Sequence, residues 1–354
     1  MNSATRQQKC VTLKQYPKGR LNAGDFEFGE SSVPALAEGQ FLVRNIYVSV
    51  EPMLRLAIDP SPLGGAFPPL PLGAVVPGPA VGEIVESRHA EFMPGELVEG
   101  RFGWQLYAAS NGTNVRRVGP HVRPIYDALG AYGLPGFTAY VGLHCAGGVK
   151  PGQGVLVSGA GGAVGSIVGA LVRARGGRAV GIASGRDKQT HLTEVGGYEA
   201  VADRSAPDFL DQLKKALPNG ADIYFDNVGG PLLATVASLM APRGKILICG
   251  VMSQYQRAGE AAVDRLAPLL ETMMARSLSM EAFSQVGQDA LRPEFEREMR
   301  TLISAGKIKP EVHIEQGLEQ LPSALCGLFD KSRAGKVIVR VADESSASAG
   351  QSAR

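Results

Sequence analysis

Apolar and polar positions follow two different rhythms along this chain. Up to about Leu134 the apolar residues come in short β-prone runs, such as Phe41-Leu42-Val43-Arg44-Asn45-Ile46-Tyr47-Val48-Ser49-Val50 and Ala80-Val81-Gly82-Glu83-Ile84-Val85. Gly and Pro separate them, a spacing that predicts a compact β-rich domain. From about Pro135 to Glu311, strand-like runs alternate with helical spacing, as a doubly wound sheet requires. Its predicted strands include Val155–Ser158, Arg178–Ala183, Tyr198–Ala202, Asp222–Asp226 and Lys245–Cys249. A last apolar strand, Lys336–Val341, lies beyond the helical region, and the Ser/Ala/Gly-rich tail from Glu344 predicts disorder. No internal repeat is visible.

The first strand of the alternating region stops at a glycine cluster. Val155-Leu156-Val157-Ser158-Gly159-Ala160-Gly161-Gly162-Ala163-Val164-Gly165-Ser166 reads as strand, glycine turn and helix start. That order lets a diphosphate approach bare backbone and rest on helix N–H groups. The glycines depart from the familiar G-x-G-x-x-G spacing, falling at Gly159, Gly162 and Gly165 with Gly161 as an extra. Gly162 can admit the pyrophosphate, and Gly165 can let the helix pack on its strand. A tight turn with no ligand would use the same residues, so context has to decide. Arg178–Ala183 arrives after one helix length and completes a βαβ unit.

The tip of that second strand bears on which dinucleotide is meant. An NAD site usually ends there in Asp or Glu, which accepts from the ribose 2′-hydroxyl. Here Ser184-Gly185-Arg186-Asp187-Lys188 follows, with no acid at the tip and two cations just behind. A 2′-phosphate is a dianion that wants such donors, and Arg204 is a third candidate. The tip therefore predicts NADP(H). The other reading is of solvated charges on an exposed loop, which Asp187 keeps open.

Composition narrows the rest. A chain of 354 residues exceeds a usual single core and predicts two domains. A net charge of +2 argues against a dedicated nucleic-acid surface. No uninterrupted apolar run reaches about 18 residues, so no membrane span is expected. Met1 to Lys9 lacks a signal peptide's apolar centre, and the expected location is cytoplasmic. Cys10, Cys145, Cys249 and Cys326 have no paired spacing and read as reduced, mostly buried thiols. No C-x-x-C occurs, and His89, His121, His144, His191 and His313 form no ligand pair, so no metal is expected. A serine nucleophile is unsupported, since there is no G-x-S-x-G.

Four motifs stand in order: Gly133-Leu134-Pro135-Gly136-Phe137-Thr138-Ala139-Tyr140, Gly162-Ala163-Val164-Gly165-Ser166, Tyr224-Phe225-Asp226-Asn227-Val228-Gly229-Gly230, and Ile248-Cys249-Gly250-Val251-Met252-Ser253-Gln254-Tyr255. Together they resemble the zinc-independent medium-chain dehydrogenase/reductases, in the branch of the prostaglandin reductases, leukotriene hydroxydehydrogenases and curcumin reductases. The resemblance runs from Val48 to Val341. It implies an α/β fold with a groES-like β-rich catalytic domain, 1–134 with 312–343, around a Rossmann NADP-binding domain, 135–311, built on a doubly wound parallel sheet. Residues 344–354 are left as a disordered tail. It also implies a homodimer that uses NADPH to reduce the carbon–carbon double bond of α,β-unsaturated ketones and aldehydes.

Within that pattern, Gly162, Ala163, Val164 and Gly165 hold the pyrophosphate. Lys188 matches the family's 2′-phosphate lysine, with Ser184, Arg186 and Arg204 beside it. Asn227, Phe283 and Arg333 contact the cofactor, and Cys249, Gly250, Ser253 and Tyr255 fall on the loop lining its nicotinamide side. Arg204 replaces a family tyrosine, and its fork can pair with phosphate bidentately. Arg333 replaces a family asparagine. Ser49-Val50-Glu51-Pro52-Met53-Leu54-Arg55 stands for the usual S-V-D-P-Y-M-R, so Met53 removes a polar, aromatic wall from the substrate cleft. Candidate substrate contacts are Met53, Tyr47 and Tyr255, although Tyr47 and Tyr140 read mainly as structural.

Hydride transfer to the β-carbon of an enone builds negative charge on the carbonyl oxygen. Preorganised donors aimed at that oxygen supply much of the rate, and a proton must then reach the α-carbon. Without a metal, the candidates are the cofactor ribose hydroxyl, water or a tyrosine. Tyr255 is the best side chain on offer, because its phenol can donate; packing over the cofactor is its other reading. Two rival functions use the same residues: a quinone reductase of the same superfamily, and a non-enzymatic NADPH-binding protein.

Overall fold

The computed structural model describes residues 6–58, 68–255, 266–330 and 335–344. The tail from 345 onward and Arg333 lie outside the described residues. Packing divides the chain into two compact units. One comprises Met1–Leu129, Val312–Arg333 and Val337–Arg354, the other Gly130–Glu311 and Ala334–Lys336.

The first unit opens with an antiparallel pair, β1 (Gln7–Leu13) and β2 (Phe26–Ser32). Its main sheet is centred on β3 (Phe41–Ser49), with the short helix α1 (Leu54–Ala57) following. Eight of the nine β3 residues are buried, because it pairs on both edges. β4 (Ala80–Ser87) lies on one side, and β6 (Tyr107–Ser110) and a later strand take the other partners. β5 (Leu97–Gly100) and β7 (Arg116–Arg117) extend the sheet beyond β4. Trp104, fully buried, stacks against Phe26 at 5.5 Å in the core beneath. Burying one such side chain contributes roughly 1.5–3 kcal/mol.

The second unit begins with α2 (Leu134–Cys145) and then alternates strand and helix. These are β8 (Gly154–Ser158), α3 (Ala163–Ala174), β9 (Arg178–Ala183), α4 (Arg186–Glu194), β10 (Ala200–Asp203), α5 (Phe209–Ala216), β11 (Ala221–Asp226), α6 (Pro231–Ala237), β12 (Met240–Ile248), α7 (Leu266–Arg276), β13 (Ser279–Ala282) and α8 (Arg292–Ser304). The six strands are parallel and ordered β10-β9-β8-β11-β12-β13. The order therefore reverses between β8 and β11. In open α/β sheets ligands bind at such a switch point, beyond the carboxyl ends of the strands. The chain then returns through β14 (Val312–Gln316), α9 (Leu321–Phe329) and β15 (Lys336–Arg340), and β15 pairs with β3.

Two expectations need correcting. Tyr198 does not open a strand: β10 starts at Ala200, and the Tyr198 ring packs under α3 instead. A Cβ on Gly169 would lie 2.3 Å from that ring, and the Tyr198 hydroxyl donates to the Gly165 carbonyl at 2.5 Å. Its strand-like character was an anchor for the helix. The thiols are free, but only Cys10 is buried; Cys145, Cys249 and Cys326 are half-buried.

Candidate functional site

The glycine turn joins β8 to α3. Gly159 takes φ +60°, a conformation that glycine adopts without strain, and the Gly162 N–H donates to its carbonyl at 3.0 Å. Gly162 is the N-cap of α3, and no side chain caps the helix. No side chain reaches the first-turn N–H groups of Val164 and Gly165 at the positive end of this three-turn helix, while a parallel backbone bridge joins Gly162 to Gly335. Gly165 is required by packing: a Cβ there would lie 2.4 Å from the Gly159 carbonyl oxygen. At Gly162 a Cβ would meet only that oxygen, at 3.3 Å, so the open side of the turn is here.

β9 ends beside this turn. Ser184 is exposed and Gly185, at φ +96°, caps α4, whose first turn carries Arg186 and Lys188. Cations in a first turn oppose the helix dipole unless an anion joins them. The Lys188 stem reaches back to the glycine turn, with Cδ 3.8 Å from where a Gly161 Cβ would be. Asp203 on β10 is level with Ala183, so Arg204, one residue on, follows at the level of Ser184. Sequence reasoning assigned no role to Asp203, whose carboxylate meets this tip at the Gly185 N–H. The hydroxyl and N–H of Ser205 donate to its carboxylate at 2.6 and 2.9 Å and, with the Gly185 N–H, hold it below the usual range. An Asp followed two residues on by Ser is a local turn signal that could have found it. Asp187 is exposed in the first turn of α4.

The neighbouring turn, from β11 to α6, is built around a carboxylate. Asp226 is fully buried, and its Oδ1 accepts from Ser158 Oγ (2.6 Å), Tyr224 Oη (2.8 Å) and the N–H groups of Val228 and Gly229 (3.0 Å each). Its Oδ2 is buried without a hydrogen-bond partner. Asn227 is tied to β8 twice, its N–H to Ser158 Oγ (2.9 Å) and its amide to the Ser158 carbonyl (2.7 Å). The N–H groups of Cys249 and Gly250 both donate to the Asp226 carbonyl, at 2.9 and 3.1 Å. The Ser253 N–H donates to the Val228 carbonyl at 3.0 Å, while Ser253 Oγ is buried without a partner. The fold thus gathers Asn227, Cys249, Gly250 and Ser253 at the carboxyl ends of β8, β11 and β12. Burial and the Asp226 carboxylate push the Cys249 thiol up to about 12.

Tyr255 closes the 3-10 turn Met252–Gln254 and is half-buried. Burial raises its phenol above the usual range, against a backbone hydrogen bond from Val251. Phe283 follows β13 and meets Phe225 edge-on at 5.7 Å. A Cβ on Gly142 would lie 2.5 Å from the Phe283 ring, so this side chain is wedged between β11 and α2.

In the first unit, Met53 is 40 % exposed just ahead of α1. Tyr47 is buried on β3; its hydroxyl donates to Glu344 at 3.1 Å and its ring meets Tyr126 at 5.5 Å. Burial and Glu344 push that phenol up to about 12. Tyr140 is buried on α2, its ring 5.6 Å from Phe295 and beneath Arg175 at 5.1 Å. Asp127, which sequence reasoning did not single out, is 4 % exposed with one carboxyl oxygen unpartnered, and burial pushes it up to about 7. Among the described residues no group of three or more His, Cys, Asp or Glu could hold a metal ion. Nor is any helix among them long and apolar enough to cross a membrane.

A six-stranded doubly wound sheet with a glycine turn at its switch point, in a chain that also builds a β-rich unit, is the fold of the medium-chain dehydrogenases/reductases. Comparison with known proteins agrees. Residues 9–118 match an N-terminal domain of oxidoreductase, and residues 163–300 match a family described as zinc-binding dehydrogenase. The NADPH-dependent curcumin reductase of Escherichia coli (strain K12) is 35% identical over 347 residues, 97% of this chain and 100% of that one. Prostaglandin reductase 1 of Rattus norvegicus is 34% identical over 338 residues, covering 94% and 99%. The crystal structure of CurA in complex with NADPH from Vibrio vulnificus matches with a TM-score of 0.89 at 34% identity, over 95% of this chain and 100% of that one. The chain belongs to the zinc-independent branch of medium-chain dehydrogenase/reductases that contains these curcumin and prostaglandin reductases.

Proposed function

We propose that this protein reduces the carbon–carbon double bond of α,β-unsaturated ketones or aldehydes with NADPH, without a metal. Residues 1–134 with 312–343 form the catalytic domain in this reading, and 135–311 bind the cofactor. The observation that carries the cofactor choice is an uncapped glycine turn with the Lys188 stem packed toward it. The donor set fits a phosphorylated dinucleotide: bare N–H groups for a diphosphate, and cations at the tip of β9 for a 2′-phosphate. The enone chemistry is supported by the names of the full-length relatives.

When bound, NADPH supplies the hydride. Gly162, Ala163, Val164 and Gly165 receive the pyrophosphate, and Lys188, Arg186, Arg204 and Ser184 the 2′-phosphate. Asn227, Cys249, Gly250 and Ser253 form the bed for the nicotinamide end, with Phe283 and Arg333 as further contacts. Tyr255 donates to the substrate oxygen or delivers the α-proton. Its raised phenol stays protonated at neutral pH, as a donor must. Met53 is the exposed candidate substrate contact, whereas Tyr47 is buried against Glu344 and Tyr126. The working form is a homodimer, supported by the exposure of all four β13 residues on the sheet edge and of Leu266, Leu270 and Met274 on α7.

The test is NADPH oxidation with a simple enone beside a quinone. Rapid enone turnover is expected. Quinone-only turnover, or tight NADPH binding with no turnover of either, would overturn the proposal.

A further inference from the structure

A second set of contacts reaches the glycine turn from outside its own sequence. The Gly161 carbonyl accepts from the Gly335 N–H at 2.8 Å, and the Lys336 N–H donates to the Glu311 carbonyl at 2.8 Å. A Cβ on Gly335 would lie 2.4 Å from that Glu311 oxygen, so these segments meet through bare backbone. The Glu311 side chain then turns to α4. Its Oε2 is buried, makes no hydrogen bond, and lies 3.2 Å from His191 Nε2. His191 stands three residues after Lys188, on the helix whose first turn carries Arg186 and Lys188. Ser166, Ile167, Ala170, Leu192, Ile308 and Lys309 are among the residues lining the cleft around this contact.

We infer that His191 is a positioning residue for cofactor selectivity. Through Glu311 it fixes α4 to the segment seated on the glycine turn, and so sets how far the α4 cations stand from the pyrophosphate bed. The inference rests on the NADPH reading above. A dinucleotide phosphate presents two anionic groups at a spacing set by its ribose. A helix held at the wrong distance can serve one of them and miss the other. NADH lacks the second group and does not sense the difference.

The test is equilibrium binding of NADPH and of NADH to the full-length protein, its His191→Ala and His191→Gln variants, and Glu311→Gln. Loss of one such partly exposed side-chain contact is worth up to about fivefold. His191→Ala and Glu311→Gln are therefore expected to weaken NADPH by about that factor and leave NADH unchanged. His191→Gln keeps an N–H donor near the position of Nε2 and is expected to restore NADPH binding. The double variant should lose no more than either single change. Equal weakening of both cofactors, a lower Tm with an unchanged cofactor ratio, or unaltered NADPH binding would each overturn the inference. If the unmodified protein binds both cofactors alike, the NADPH reading has failed, and this inference falls with it.

Discussion

Two strand-to-helix turns lie side by side in the parallel sheet, both contain glycines, and they are built on opposite principles. Between β8 and α3 no side chain caps the helix, and the turn's backbone is bridged only by Gly335 among the described residues. Between β11 and α6 the N–H groups of Val228 and Gly229 are already bound to Asp226. The glycines of the second turn, Gly229 at φ +65° and Gly230 at φ +64°, serve backbone geometry. A glycine cluster therefore marks an anion site only where the protein leaves the N–H groups unsatisfied. In the proposed function the first turn cradles phosphate. The second gives up that capacity and aligns three strand ends as a rigid bed.

The largest expected effect tests this contrast at its carboxylate. Asp226→Ala strands two hydroxyls and two N–H groups in the interior, and each buried donor left unsatisfied costs roughly 1–3 kcal/mol. Urea unfolding measures it, and a loss below about 1 kcal/mol would mean the network carries no weight.

A second buried carboxyl sharpens the same point, because Asp127 has no such donors for Oδ1. Its folded value of about 7 stands above the ordinary 3.8, so the folded chain keeps a proton that the unfolded chain releases. Stability is then greatest below 3.8, falls as pH rises, and levels off above about 7. Between pH 5 and 8 the loss amounts to on the order of 2–3 kcal/mol. Asp127→Asn should flatten that slope, and an unchanged slope in the variant would remove Asp127 from the account.

Tyr255, at the rim of the second turn, comes next. Tyr255→Phe keeps the ring and removes the hydroxyl, so turnover should fall by on the order of 10²-fold with little change in NADPH affinity. An unchanged rate, where chemistry limits turnover, would return Tyr255 to a packing role.

The first turn's partner is tested by Lys188→Ala. A charge-assisted contact is worth roughly 1.5–3 kcal/mol, so NADPH should weaken by about tenfold or more while NADH is spared. Equal Michaelis constants for the two cofactors in the unmodified protein would sink this reading. The smallest expected effect is none: neither turn offers a metal ligand set, so activity should survive thorough chelation. Stoichiometric zinc whose removal abolishes turnover would contradict that.

The two turns also differ in how far they could be read in advance. Gly159, Gly162, Gly165 and Lys188 sit in local patterns, where a strand, a turn and a helix follow one another within a few dozen residues. The Asp226 network could not be read that way. Ser158 and Asp226 are 68 residues apart and become neighbours only because β8 and β11 pair across the switch point. Tyr198 misled for the same reason, since its β-prone character gave no sign that its ring fills the space above Gly169. Asp203 was closer to legible, as its Ser205 partner is only two residues away.

By itself the sequence determined the alternation of elements, the β-rich first part, the glycine turn and the cations behind it. Those features depend on backbone preference and on the period of apolar residues, both local quantities. Only the tertiary structure decided which N–H groups stay open, which carboxylates are satisfied, and that Glu311 faces His191. The satisfaction of a buried polar group depends on partners that folding brings from distant parts of the chain. A deeply buried atom such as Asp226 Oδ1 has water excluded and must find those partners within the protein.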